Sequence, residues 1–225
     1  MPTEATCKLE SCWPGDGEES SIEFDHALRL GNVDKCVQLL SQDPLLAIRP
    51  KVLVVAAGTA GKYLVLFHVI LAFAPTDFLL SERALKQLHF IARQGWDAQL
   101  IDLLHREPSL LTRRDSRTGD NVMHAACRAS ETPASQIICA IGKAFPDLSR
   151  EAINKQNKNG DTPLHVCCSS SAQTKQNKDF RATPVEQLLL LRPDVALVNS
   201  ANLTPLQVAE CNERHTAALT INRNH

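Results

Sequence analysis

The sequence predicts an all-α fold, a solenoid of stacked helix-turn-helix pairs with about five full pairs and a partial sixth over residues 20–225. Three observations predict it. Small residues recur at matching points of successive apolar runs: Ala27, Ala56, Ala92, Ala126, Cys167 and Ala209. Prolines recur where the second helix of each pair must stop: Pro44, Pro75, Pro108, Pro146 and Pro193. A turn followed by a Thr-Pro helix start appears in the later part of the chain. The two ladders stay in phase, which chance does not readily produce. The predicted pairs are 20–49, 50–80, 81–117, 118–158, 159–200 and 201–225, preceded by an acidic leader at 1–19.

Composition agrees with thin layers of small helices. Aromatics make up 4% of the 225 residues, while Leu, Ala and Val are abundant. The net charge of −1 disfavours wrapping of nucleic acid or general attraction to membranes. The charge is uneven, because residues 1–48 hold nine acidic and three basic side chains. Of eight cysteines, Cys36, Cys127, Cys139, Cys167 and Cys168 lie in apolar helix-like runs. With no signal-peptide pattern, they read as reduced buried thiols of a cytoplasmic, intracellular monomer.

The leader combines Pro14, Gly15, Gly17, Glu18 and Glu19 without apolar rhythm, which predicts flexibility. Trp13 is the exception, read as docking on the first pair or as part of a short linear motif. Ser20 and Glu23 have capping-box spacing for the first helix, which runs to Gly31-Asn32. A second helix from Val33 meets Asp43-Pro44, where proline disfavours helical backbone before it. Residues 52–57 predict an inner helix, Gly58 to Gly61 a turn, and Tyr63 to Phe73 an outer helix. The whole of 52–74 is long and apolar enough to suggest a membrane span, but Lys62 near its middle and the phase of Ala56 and Pro75 favour buried helices. Ser81 caps the next helix, Gly95-Trp96 turns the chain, and Asp97 caps the helix that ends at Pro108.

The segment Asn159-Gly-Asp-Thr-Pro-Leu-His-Val-Cys168 has a turn glycine, a capping hydroxyl at Thr162 and Pro163 at the first helical position, where no N–H is needed. Leu164, Val166, Cys167 and Cys168 make the helix apolar on most sides. Thr118–Cys127 is a degraded copy with Asn121 and Val122 for Thr and Pro, and a weaker cap is expected there. Leu203–Ala209 is a third copy, with Thr204, Pro205 and Gln207. Between the second and third copies, Ser169–Arg181 reads as an enlarged polar loop, and Thr183-Pro184-Val185-Glu186 as a capping box.

These motifs, best at 118–127, 159–168 and 202–209, resemble the ankyrin repeat, with its Thr-Pro-Leu-His core and a period near 33 residues. The resemblance implies that His124 and His165 bond turn backbone within and between repeats. It implies a non-catalytic protein-binding scaffold or adaptor that presents hairpin tips and a concave inner-helix face. On that mapping Arg113, Arg114 and Arg117 fall on one hairpin and Lys155, Gln156 and Lys158 on the next, a basic stripe suited to an acidic partner protein. Asn154 falls where such repeats carry a hydroxylatable asparagine. The alternative is an effector or targeting module that recruits a host protein to an activity elsewhere, and the Ser169–Arg181 loop is the alternative binding site. Arg214, His215 and Asn222 to His225 could supply the polar face of an end repeat.

Chemistry finds little support. Gly61-Lys62 lacks the P-loop pattern, since Ala56 and Tyr63 replace its first glycine and its Ser/Thr. Cys7 and Cys12 are loosely spaced for zinc, so no metal or cofactor is expected. His124 and Cys127 lie one turn apart, but no orienting Asn or Asp is evident for a nucleophilic pair. Near-neutral charge and few aromatics disfavour nucleic acid as a partner.

Overall fold

The computed structural model describes residues 17–49, 52–170 and 183–223, which are all-helical with no strand. The leader and most of the Ser169–Arg181 loop lie outside the described residues, as do Cys7, Cys12 and Trp13. The chain divides into two compact units, Met1–Ala74 and Pro75–His225.

In the first unit, α1 (Gly17–Leu30) and α2 (Val33–Gln42) form a pair. Asn32 caps α2 by accepting the Lys35 N–H at 3.0 Å. Asp43 ends α2 and caps a 3-10 turn over Pro44–Ile48. Phe24, Leu28, Cys36, Leu40 and Ala47 are buried between these elements and α3 (Val52–Phe73). Two expectations are corrected here. Ser20 lies inside α1, so its capping box with Glu23 does not form. Residues 52–73 are one helix of 22 residues, not two helices around a turn at Gly58–Gly61. Glycine in a helix is unfavourable by only ~1 kcal/mol against alanine. No Pro, Asp or Asn stands at 58–61 to stop the helix, and buried Leu53, Ala56, Phe67 and Ile70 hold both halves. Side chains at 59–64 are not described. Among the described residues no helix is long and apolar enough to cross a membrane.

The second unit opens with the short α4 (Thr76–Leu79). Four helix pairs follow: α5 (Glu82–Gln94) with α6 (Asp97–Arg106), α7 (Val122–Cys127) with α8 (Glu131–Ala144), α10 (Pro163–Ser169) with α11 (Pro184–Leu190), and α12 (Pro205–Cys211) with α13 (His215–Arg223). First members pack in the order α5, α7, α10, α12, and second members in the order α6, α8, α11, α13, giving two layers. The small-residue ladder lies in the first layer, where Ala92, Ala126, Cys167 and Ala209 are each at most 1% exposed. A larger side chain there would hold neighbouring helices apart.

In the second unit side-chain caps start α5, α7, α10, α11 and α12. Ser81 accepts from the Ala84 N–H at 3.1 Å, and Thr162, Thr183 and Thr204 each close a capping box with the residue three positions on. The expected weak cap at Asn121 is instead a complete capping box with His124, and its Nδ2 also donates to the Ala152 carbonyl at 2.8 Å. An amide thus caps one helix and ties it to another, which a threonine hydroxyl is too short to do. Asp97 is the first residue of α6 rather than its cap. Pro146 ends α8 and also starts an unpredicted helix, α9 (Pro146–Ile153), because proline suits a first helical position.

Replacing Gly58 with alanine tests the continuous α3. Gly58 is exposed within the helix, so Gly58→Ala should raise stability by up to ~1 kcal/mol, read as a higher urea midpoint. A loss of stability would restore the turn.

Candidate functional site

Three hairpins precede α7, α10 and α12, and each is closed by the same backbone bonds. The Asp115 N–H donates to the Asp120 carbonyl at 2.8 Å, Asn157 to Asp161 at 2.9 Å, and Asn199 to Leu203 at 3.0 Å. The tight corner of each needs positive φ, adopted by Gly119 (75°), Gly160 (72°) and Asn202 (58°).

The hairpins are stacked backbone to backbone. The Lys158 N–H donates to the Thr118 carbonyl at 2.9 Å, and Ser200 to Asn159 at 3.0 Å. Side chains repeat the link. Asn157 Nδ2 donates to Asp120 Oδ1 at 2.8 Å, and Asn199 Nδ2 to Asp161 Oδ1 at 2.9 Å. At the start of this ladder the Ser116 N–H and Oγ both donate to Glu82 Oε1 at 2.9 Å.

The two motif histidines brace the ladder from below. His124 Nδ1 accepts from the Asn121 N–H at 3.2 Å, and its Nε2–H donates to the Asp161 carbonyl of the next hairpin at 2.9 Å. His165 does the same with the Thr162 N–H at 3.1 Å and the Leu203 carbonyl at 3.0 Å. A carbonyl can only accept, so each Nε2 carries a proton, and each Nδ1 faces a backbone N–H as acceptor, the arrangement of a neutral ring; His124 Nδ1 also lies 2.7 Å from Asn121 Oδ1. Burial, first of all, lowers the pKa of both rings.

The stripe residues occupy the outer side of this ladder. Arg117 and Lys158 are exposed and Arg113 is half-buried, and none of them makes an ion pair among the described residues. Arg114 is spent on the Gln156 carbonyl at 3.1 Å, Gln156 donates to the Gly160 and Val198 carbonyls at 2.8 Å, and Lys155 pairs with Glu151 at 2.9 Å. A shallow groove of about 460 Å³ runs between the first two hairpins, lined by Arg114, Asp115, Ser116, Gly119, Asn157 and Lys158. The carboxylates face inward. Asp120 is 2% exposed and is held by Arg128 at 2.8 Å as well as by Asn157. Burial works to raise its pKa, but Asn157 and Arg128 bring it below the ordinary value. For Asp115 burial is likewise outweighed by hydrogen bonds from Thr118 and Arg117, and its pKa falls to about 2.

The rungs Asp115, Asp120, Asn157, Asp161 and Asn199 were not singled out from sequence. A signal was there, in an Asx residue four or five positions before the residue that closes each turn. Thr204 and Pro205 start α12 as expected, and Asn154 is exposed, its Oδ1 accepting from the Asp194 N–H at 2.9 Å. Cys127 is fully buried, and burial pushes its thiol well above the usual range.

No family model and no curated protein matches the chain. Among solved structures, it resembles a chain from the complex of a predatory endopeptidase of Bdellovibrio bacteriovorus with an immunity protein, at TM-score 0.61 and 17% identity, covering 90% of this chain and 98% of that one. It also resembles a chain from the complex of a yeast ribosomal protein with its chaperone, at TM-score 0.49 and 18% identity, covering 65% and 95%. The first likeness is one of fold.

Two outcomes are expected. A Cβ on Gly119 would stand 2.8 Å from the Lys158 nitrogen, in a backbone with φ of 75°. Gly119→Ala should therefore lower stability by ~1–3 kcal/mol in urea unfolding, and Gly160→Ala, 2.6 Å from the Ser200 nitrogen, should do likewise. The second outcome is acid sensitivity. His89 on α5 is 8% exposed with an unpartnered Nε2, and burial, aided by Arg93 and His124 and opposed by Asp115 and Asp120, lowers its pKa to about 4. The unfolded chain takes up protons near pH 6.5 that folded His89, His124 and His165 refuse. Stability should then be full above that pH and fall as pH drops toward 4. In His89→Gln the slope over this window should be shallower, and an unchanged slope would reject the assignment.

Proposed function

We propose that the chain is an ankyrin-repeat solenoid that serves as a non-catalytic scaffold, binding an acidic surface of a partner protein at the hairpin tips and the adjoining first-layer helices. One observation carries this reading: the ladder sorts its charges, with Asp115 and Asp120 buried in hydrogen bonds and Arg117 and Lys158 left exposed. Such a surface attracts carboxylates although the chain as a whole is near neutral. The Thr-Pro starts at Thr162 and Thr204 and the bridging His124 and His165 support the ankyrin assignment. The structure whose fold it resembles holds two proteins in complex, which is in keeping with a binding role. Catalysis by His124 and Cys127 is disfavoured, because both ring nitrogens are engaged and the thiol is buried and hard to ionise.

The test is affinity capture from cytosolic extract with the wild type and an Arg113→Glu/Arg117→Glu/Lys158→Glu variant, read by mass spectrometry. Arg114 is left intact because it holds the Gln156 carbonyl. A protein retained by the wild type and released by the variant is expected. Equal retention by both would remove the hairpin stripe from the binding face, and no specific capture would sink the scaffold reading.

A further inference from the structure

The outward face of α5 carries further cations beyond those of the hairpin stripe, which it meets through Glu82 and Ser116. Arg83, Lys86, Phe90 and Arg93 are all exposed. At 100° per residue they fall within an arc of roughly 80°, and they extend along about 15 Å of helix. None of the three cations makes an ion pair among the described residues. The nearest acid on α5, Glu82, is spent on Ser116. Phe90 sits inside this arc with 43% of its surface exposed, held edge-on to Trp96 at 6.2 Å between ring centroids. A bulky ring thus stands partly in water against a second ring, with cations on both sides of it and no anion among them. By contrast α7 is buried along its whole length, and the exposed positions of α12 are Gln207, Glu210 and Cys211.

We infer that this face of α5 docks an acidic segment of a partner protein, with carboxylates on Arg83, Lys86 and Arg93 and one apolar side chain on Phe90. The inference rests on the scaffold reading and adds an apolar contact to the acidic partner that reading calls for. Charge complementarity selects an anion, and the central Phe90 selects one with an apolar side chain among its charges. A nucleic acid or an anionic membrane would call for a broader field than three cations on a chain of net charge −1 provide.

The experiment titrates the full chain into a fluorescein-labelled peptide of glutamates flanking a central leucine, read by anisotropy. Arg83→Glu/Lys86→Glu/Arg93→Glu should weaken binding by about tenfold or more, as should exchanging the peptide's glutamates for lysines. Phe90→Ser, or serine for the peptide's leucine, should weaken it several-fold. Lys143→Glu on α8 should leave it unchanged. Arg83, Lys86 and Arg93 are exposed, so the melting temperature of their variant should match the wild type, and Gln replacements at the three cations serve if the Glu set does not fold. Equal binding by wild type and the α5 variant would overturn the inference. So would no saturable binding, tighter binding of duplex DNA or phosphatidylserine vesicles, or a gain in affinity on deleting residues 2–16, which would make the chain's own leader the occupant. A wild type that captures a protein from extract but ignores the peptide rejects this inference alone, whereas absence of capture rejects the scaffold.

Discussion

A backbone N–H of one hairpin meets a carbonyl of the hairpin before it, and the glycine beside that bond leaves no room for a Cβ. The second unit depends on this contact at Lys158–Thr118 and again at Ser200–Asn159. It fixes the spacing between successive helix pairs, so the first-layer helices must meet through residues as small as Ala126 and Cys167. It also brings Asn157 within reach of Asp120 and Asn199 within reach of Asp161. The first of those side-chain bonds helps satisfy the buried Asp120, which burial otherwise makes costly.

The histidines show how the same contact reaches the helices. Each ring joins the N-terminus of its own helix to a carbonyl of the next hairpin. A proton added to Nδ1 would displace the backbone N–H that bonds it at the helix end, although in His124 it would meet Asn121 Oδ1 at 2.7 Å. Acid sensitivity thus arises from buried histidines, His89 on α5 together with the two that brace the stacking, rather than from any surface pair.

Much of this was legible because caps and small residues are local signals. Thr162-Pro163, Thr183-Pro184 and Thr204-Pro205 start helices for reasons contained in a few neighbouring atoms. The alanine ladder is equally readable, since it needs only size and period. The rest was less legible because it depends on neighbours distant in sequence. Nothing near Asn121 announces that its amide will reach the Ala152 carbonyl, and nothing near Asn157 names Asp120. At Gly58 and Gly61 the local signal was weak and packing outweighed it, joining two expected helices into one. Likewise, charge at 113–117 was visible in sequence, but which cations remain free was settled only when Arg114 closed on Gln156.

The hairpin contacts also set how such a chain could grow. Arg114 reaches Gln156 and Gln156 reaches Val198, each across 42 residues. Successive rungs are thus evenly spaced along the chain. The block from 157 to 198 carries both halves of the joint, an Asn157 that donates backward and an Asp161 that accepts from the next unit. Copied in tandem, it would present to each neighbour the same groups that the neighbour already meets. Lengthening by duplication would then require no new interface, only a repeat of one that exists.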